Sequence, residues 1–102
     1  MIKLVCLINR PNTVARSAFV DWWLGHHAQV AARLPGLRRY TISVSCQSPD
    51  GPDYDGVAEL WFDDVEAMER AFASPEGQDC SREDRDLIGQ RIAFLTEEHV
   101  IL

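Results

Sequence analysis

RRYTISVSC (residues 38–46), QSPDGPDYDG (47–56) and VAELWF (57–62) decide the fold. The first piece alternates: Tyr40, Ile42 and Val44 share one side, and Arg39, Thr41 and Ser43 the other. That period of two is the signature of a half-buried strand. The middle piece is a polar run of Pro, Gly and Asp, the composition of a loop. The third is a strand again, with Ala58, Leu60 and Phe62 on one face and Glu59 and Trp61 on the other. Two adjacent strands joined this way form the centre of the motif.

Helical patterns flank them. Over residues 15–34, Phe19, Trp23, Val30 and Leu34 fall on one stripe at the helical period, and Ala28, Ala31 and Ala32 favour helix. Thr13 is placed to start this helix, and Pro35-Gly36 ends it. After the strand pair, Asp63-Asp64 caps a helix over about 64–73 that buries Val65, Met68 and Phe72. Ser74-Pro75 can open a short polar third helix reaching about Ile88. At the ends, IKLVCLIN (2–9) reads as a strand buried on both faces. RIAFL (91–95) with EHVIL (98–102) reads as a last strand or a strand with a break. The order strand, helix, strand, strand, helix, strand is the split βαβ of an α+β ferredoxin-like sandwich. It predicts a four-stranded antiparallel sheet with helices on one face. The other face, bearing Glu59 and Trp61, calls for a partner, and a two-fold homodimer is the simplest.

The 102 residues are read as a single domain, 1–102. The net charge of −6 argues against nucleic acid and anionic membranes, which clustered Lys and Arg bind. The third strand also lacks the glycine-aromatic pattern of ferredoxin-like RNA binders. No stretch is long and apolar enough to span a membrane, and the N-terminus lacks a signal-peptide pattern. Three cysteines, Cys6, Cys46 and Cys80, form no CxxC pair and are odd in number, which fits a reducing cytoplasm rather than disulfides or zinc.

The residues that can carry chemistry gather on the first helix. His26 and His27 each flank its apolar stripe by about 50° on an ideal wheel, so periodicity alone does not choose between them. Adjacent histidines point apart, unlike metal ligands at i and i+4, so no metal site is expected. Histidine is the side chain suited to moving protons near neutral pH. Trp23, Tyr40 and Trp61 are candidates to line an aromatic pocket. Glu59, placed to pair with Arg39 or Ser43, and Asn9, with Cys6, complete the set.

Several stretches together resemble the EthD family: MIKLVCLINRP at the start, FVDWWLGHHA (19–28), LPGLRRY (34–40), DGVAELWFDD (55–64), SPEG (74–77) and EEHV (97–100). The resemblance covers essentially the whole chain and places Trp23 and His27 in the family's Trp-x3-His slots. It implies a dimeric α+β barrel, a superfamily that includes muconolactone isomerases, polyketide cyclases and cofactor-free monooxygenases. The expectation is a cytoplasmic, cofactor-free protein that binds a small apolar carbonyl, lactone or aromatic compound. His27 (or His26) would shuttle the proton in an isomerase, cyclase or oxidoreductase. A non-catalytic binder or accessory subunit would use the same pocket without needing the histidine.

Overall fold

The computed structural model describes residues 1–46 and 54–102, so positions 47–53 of the polar loop lie outside the described residues. The chain runs β1 (Ile2–Asn9), α1 (Arg16–Trp22), a π-helical turn (Trp23–His27), α2 (Ala28–Ala31), β2 (Arg39–Val44), β3 (Gly56–Phe62), α3 (Val65–Ala73), α4 (Pro75–Leu87) and β4 (Gln90–Glu97). The sheet order is β2-β3-β1-β4, and all three pairings are antiparallel. This is the ferredoxin-like α+β arrangement.

One face of the sheet packs on the helices. Leu4, Cys6 and Ile8 of β1 and Ala58, Leu60 and Phe62 of β3 are buried there against Phe19, Trp23, Leu34 and Ala71. β1 therefore alternates, and is not buried equally on both faces: Lys3, Val5 and Leu7 are only half-buried. On the open face the register aligns Leu7 with Val57 and Ile92, and Val5 with Glu59 and Phe94. Phe94 is 49% exposed and Ile92 45%.

Several boundaries differ from the sequence reading. The first helix starts at Arg16 with no side-chain cap, so Thr13 does not begin it. It ends at Ala31, and Leu34 follows in a turn that Gly36 completes at φ 80°, where glycine is unstrained. Asp64 caps the helix at Ala67 N (2.7 Å), but Val65 faces solvent, because the stripe that packs on the core runs through Ala67, Met68, Ala71 and Phe72 and leaves the first position at its edge. The third helix is a full 13 residues, capped by Ser74 at Gly77 N (3.1 Å). The last strand is unbroken to Glu97, and residues 98–102 lie beyond it.

Candidate functional site

The π-helical turn decides between the two histidines. Closing i to i+5 rather than i to i+4, such a turn advances about 80° per residue instead of about 100°. The lag swings His26 away from the face of Trp23 and keeps His27 on it. His27 is accordingly 4% exposed, while the His26 side chain is 61% exposed. Trp22 covers the His27 ring, with centroids 4.9 Å apart and planes within 23°.

Both His27 nitrogens face carboxylates of α4. Nδ1 lies 2.8 Å from Glu83 Oε1, and Nε2 lies 3.0 Å from Asp84 Oδ1. Glu83 spans the two histidines, because its Oε2 is 2.8 Å from His26 Nε2. An ionised carboxylate only accepts, so a ring flanked by two of them is best matched as the imidazolium, with N–H on both nitrogens. Burial alone would lower its pKa, but bonds with Asp84, Cys80 and Glu83 outweigh that and push it up to about 10. Burial likewise opposes ionisation of Glu83, yet His27 and His26 hold its carboxyl below the ordinary range.

Two cavities adjoin this cluster. The inner one, about 30 Å³, is lined by His27, Trp23, Tyr40, Cys6 and Cys80 among others, and has room for about a water or two. Burial raises the pKa of the Tyr40 hydroxyl above its ordinary value, so it stays protonated. Trp23 Nε1 is buried with no hydrogen-bond partner among the described residues, which leaves a donor for a water or ligand oxygen. The outer cavity, about 430 Å³, lies between α3, α4 and the β1–β4 edge. Leu4, Met68 and Phe72 give its apolar wall; Ser81, Asp84, Arg85 and Arg91 give its polar one. Leu4, Phe72, Asp84 and Arg91 line both cavities. Asp84 thus touches His27 on one side and the outer cavity on the other.

The remaining candidates lie elsewhere. Glu59 and Trp61 are on the opposite face of the sheet from Trp23 and Tyr40, so they cannot line the same pocket; the strict alternation of β3 separates them. Glu59 does not pair with Arg39 or Ser43. Its register partner on β2 is Thr41, and Lys3 of β1 takes it at 2.9 Å. Arg39 lies over the Trp61 ring instead, 4.7 Å from its centroid. Asn9 sits at the sheet end, where its Oδ1 accepts from Asp55 N (3.0 Å). There it borders a separate polar cavity with Arg10, Asp55 and Gln90.

The sequence reading missed Cys80, Glu83, Asp84 and Arg91. The i, i+3, i+4 spacing of Cys80, Glu83 and Asp84 puts all three on one face of α4. That signal is present in the sequence but hidden in a segment whose composition reads as solvated.

Fold and site together describe a ferredoxin-like α+β protein with an imidazole–carboxylate cluster walled between helices and sheet. Residues 12–87 match the EthD domain, and the chain belongs to the EthD family. It is 28% identical to an uncharacterised 11.0 kDa protein of the thcB-thcC intergenic region of Rhodococcus erythropolis, over all of this chain and 99% of that one. It is 26% identical to a 4-carboxymethyl-4-methylbutenolide mutase of Pseudomonas reinekei, covering 98% of this chain and all of the relative. A solved EthD family protein from Bacillus halodurans superposes with a TM-score of 0.85 at 26% identity, covering 97% of this chain and 99% of that one. No helix among the described residues is long and apolar enough to cross a membrane.

Proposed function

We propose that this chain is a proton-transferring isomerase of small unsaturated lactones or related carbonyl compounds. The observation that carries it is the 3.0 Å bond between buried His27 and an Asp84 that also faces a cavity of substrate size. The full-length likeness to a butenolide mutase supports the substrate class. In this reading Asp84 takes a proton from carbon next to the carbonyl. His27, already cationic, holds Asp84 in place and stabilises the negative charge that develops. Returning the proton at another carbon completes an isomerisation with no net change of atoms. Tyr40 and Trp23 supply O–H and N–H donors at the inner end, and His26 orients Glu83. The working unit is a homodimer that covers the open face through Val5, Leu7, Val57, Ile92 and Phe94. Its compartment is a reducing cytoplasm, in keeping with three free cysteines.

The test is proton–deuterium exchange of unsubstituted and substituted butenolides in D2O, followed by NMR. Wild type exchanges ring-adjacent protons, and Asp84→Asn and His27→Gln each slow the exchange by about 10²-fold or more while remaining folded. Equal rates in the variants overturn the reading. Saturable binding by wild type with no exchange at all favours a carrier instead.

A further inference from the structure

The outer cavity holds more positive charge than proton transfer needs. The chain has ten Lys and Arg residues against sixteen Asp and Glu. Even so, two arginines, Arg85 of α4 and Arg91 of β4, line this one cavity. Arg91 pairs in register with Ile8, a core residue, so its side chain starts on the helix-covered side of the sheet. The residue itself is exposed, its side chain 34% accessible on this edge strand, so the guanidinium is hydrated and open to a ligand from the cavity. Among the described residues, Arg91 Nε stands 3.8 Å from Asp84 Oδ2, and Arg91 Nη2 stands 3.5 Å from Cys6 Sγ. Both are weak contacts for a group with five N–H donors in a planar fork. Arg85 is 71% exposed at the rim, with Asp86 Oδ1 3.4 Å from its Nε.

We propose that the outer cavity selects substrates that carry a carboxylate, with Arg91 as its anchor and Arg85 as a second cation at the rim. A carboxylate accepts two parallel N–H bonds from a guanidinium, and that geometry fixes direction as well as position. The Ser81 hydroxyl on the same wall is a further donor. The apolar body of the substrate then lies on Leu4, Met68 and Phe72, and its ring is brought to Asp84 on the shared wall. Asp84 repels a carboxylate, but its charge is already met by His27, and with Asp86 beside Arg85 the main attraction is that of Arg91. An arginine pointing inward on an edge strand also discourages strand-to-strand association. That role predicts no ligand preference, so binding separates the two.

The inference rests on reading this cavity as the substrate site, and the experiment keeps the two apart by measuring binding and exchange separately. The probes are a butenolide bearing a carboxymethyl group and its methyl ester, titrated by calorimetry into the full chain. Wild type binds the acid at least about tenfold tighter than the ester, the size expected of a charge-assisted pair. The preference shrinks as salt rises. Arg91→Gln reduces it to less than about threefold, and Arg85→Gln reduces it partly. Should Arg91→Gln fail to fold, Arg91→Lys carries the test, because lysine keeps the charge but loses the fork and lowers the preference to an intermediate value. An ester that binds wild type as well as the acid overturns the inference, and so does a full acid preference retained in every arginine variant. Asp84-dependent exchange without acid preference leaves the isomerase reading standing and removes this one. Acid preference without exchange does the reverse.

Discussion

Replacing His27 with Gln should flatten the stability profile between pH 6 and pH 9. In the folded chain His27 titrates near 10 rather than 6.5, because Asp84, Cys80 and Glu83 bind its protonated form. A group whose folded pKa is raised stabilises fully below its unfolded pKa and loses that contribution as pH climbs through the folded one. The span from 6.5 to about 10, at about 1.4 kcal/mol per pH unit, sets a ceiling of about 5 kcal/mol. About 3 kcal/mol of that ceiling is lost between pH 6 and pH 9. For a domain of this length, about 4–8 °C accompany each kcal/mol, so the wild-type Tm falls by up to about 12–24 °C over that range. Two other groups bound the window. The Glu83 carboxyl, held below its ordinary value, loses its contribution only as pH falls below about 4.5. The Cys6 thiol, pushed up by burial, adds a loss of the same sign as that of His27 only above 9.0. Thermal unfolding by circular dichroism at half-unit pH steps measures the profile. His27→Gln should be less stable at pH 6, where Glu83 and Asp84 lose their shared cation, and nearly level from there to pH 9. A wild-type Tm that holds or rises across the window, or a variant with the wild-type slope, would refute the paired-imidazolium description.

Two glycine variants should move in opposite directions. A Cβ at Gly56 would collide with Ser43 O and approach the Trp23 ring to 2.8 Å, so Gly56→Ala should cost more than about 2 kcal/mol by denaturant unfolding and disturb ligand binding through Trp23. Gly25 is exposed in the π-helical turn, with nothing within 4 Å of where a Cβ would stand, and should accept Ala with a gain of about 0.5–1 kcal/mol. If the proposed homodimer forms through the open face, wild type runs as a dimer in light scattering and Phe94→Asp as a monomer that keeps its sheet signal in circular dichroism; a variant that stays dimeric would place the interface elsewhere.

The fold was legible because its signals are local and repeat. The alternation of Tyr40, Ile42 and Val44 and of Ala58, Leu60 and Phe62 set the core face of two strands, and the structure packs those faces on the helices. The split βαβ order followed from counting elements. The site was only half legible, for two different physical reasons. His27 over His26 depends on a π-helical turn, which an ideal 3.6-residue wheel does not contain. Separating Trp61 and Glu59 from Trp23 required applying the alternation already found in β3 to the question of which pocket each residue lines. The partners of His27 were hidden more deeply. Residues 75–87 are mostly polar, and polar composition on a helix is ordinarily a solvated face. Here Gly77 and Cys80 are buried because they are small enough to let α4 approach its neighbours. That close approach carries Glu83 and Asp84 onto His27. The acidic residues could not be recognised as partners until the small residues were recognised as the contact. The chemistry of the site and the approach of α4 are therefore one feature, so anything that lifts α4 away should lower the pKa of His27 and strand its carboxylates together.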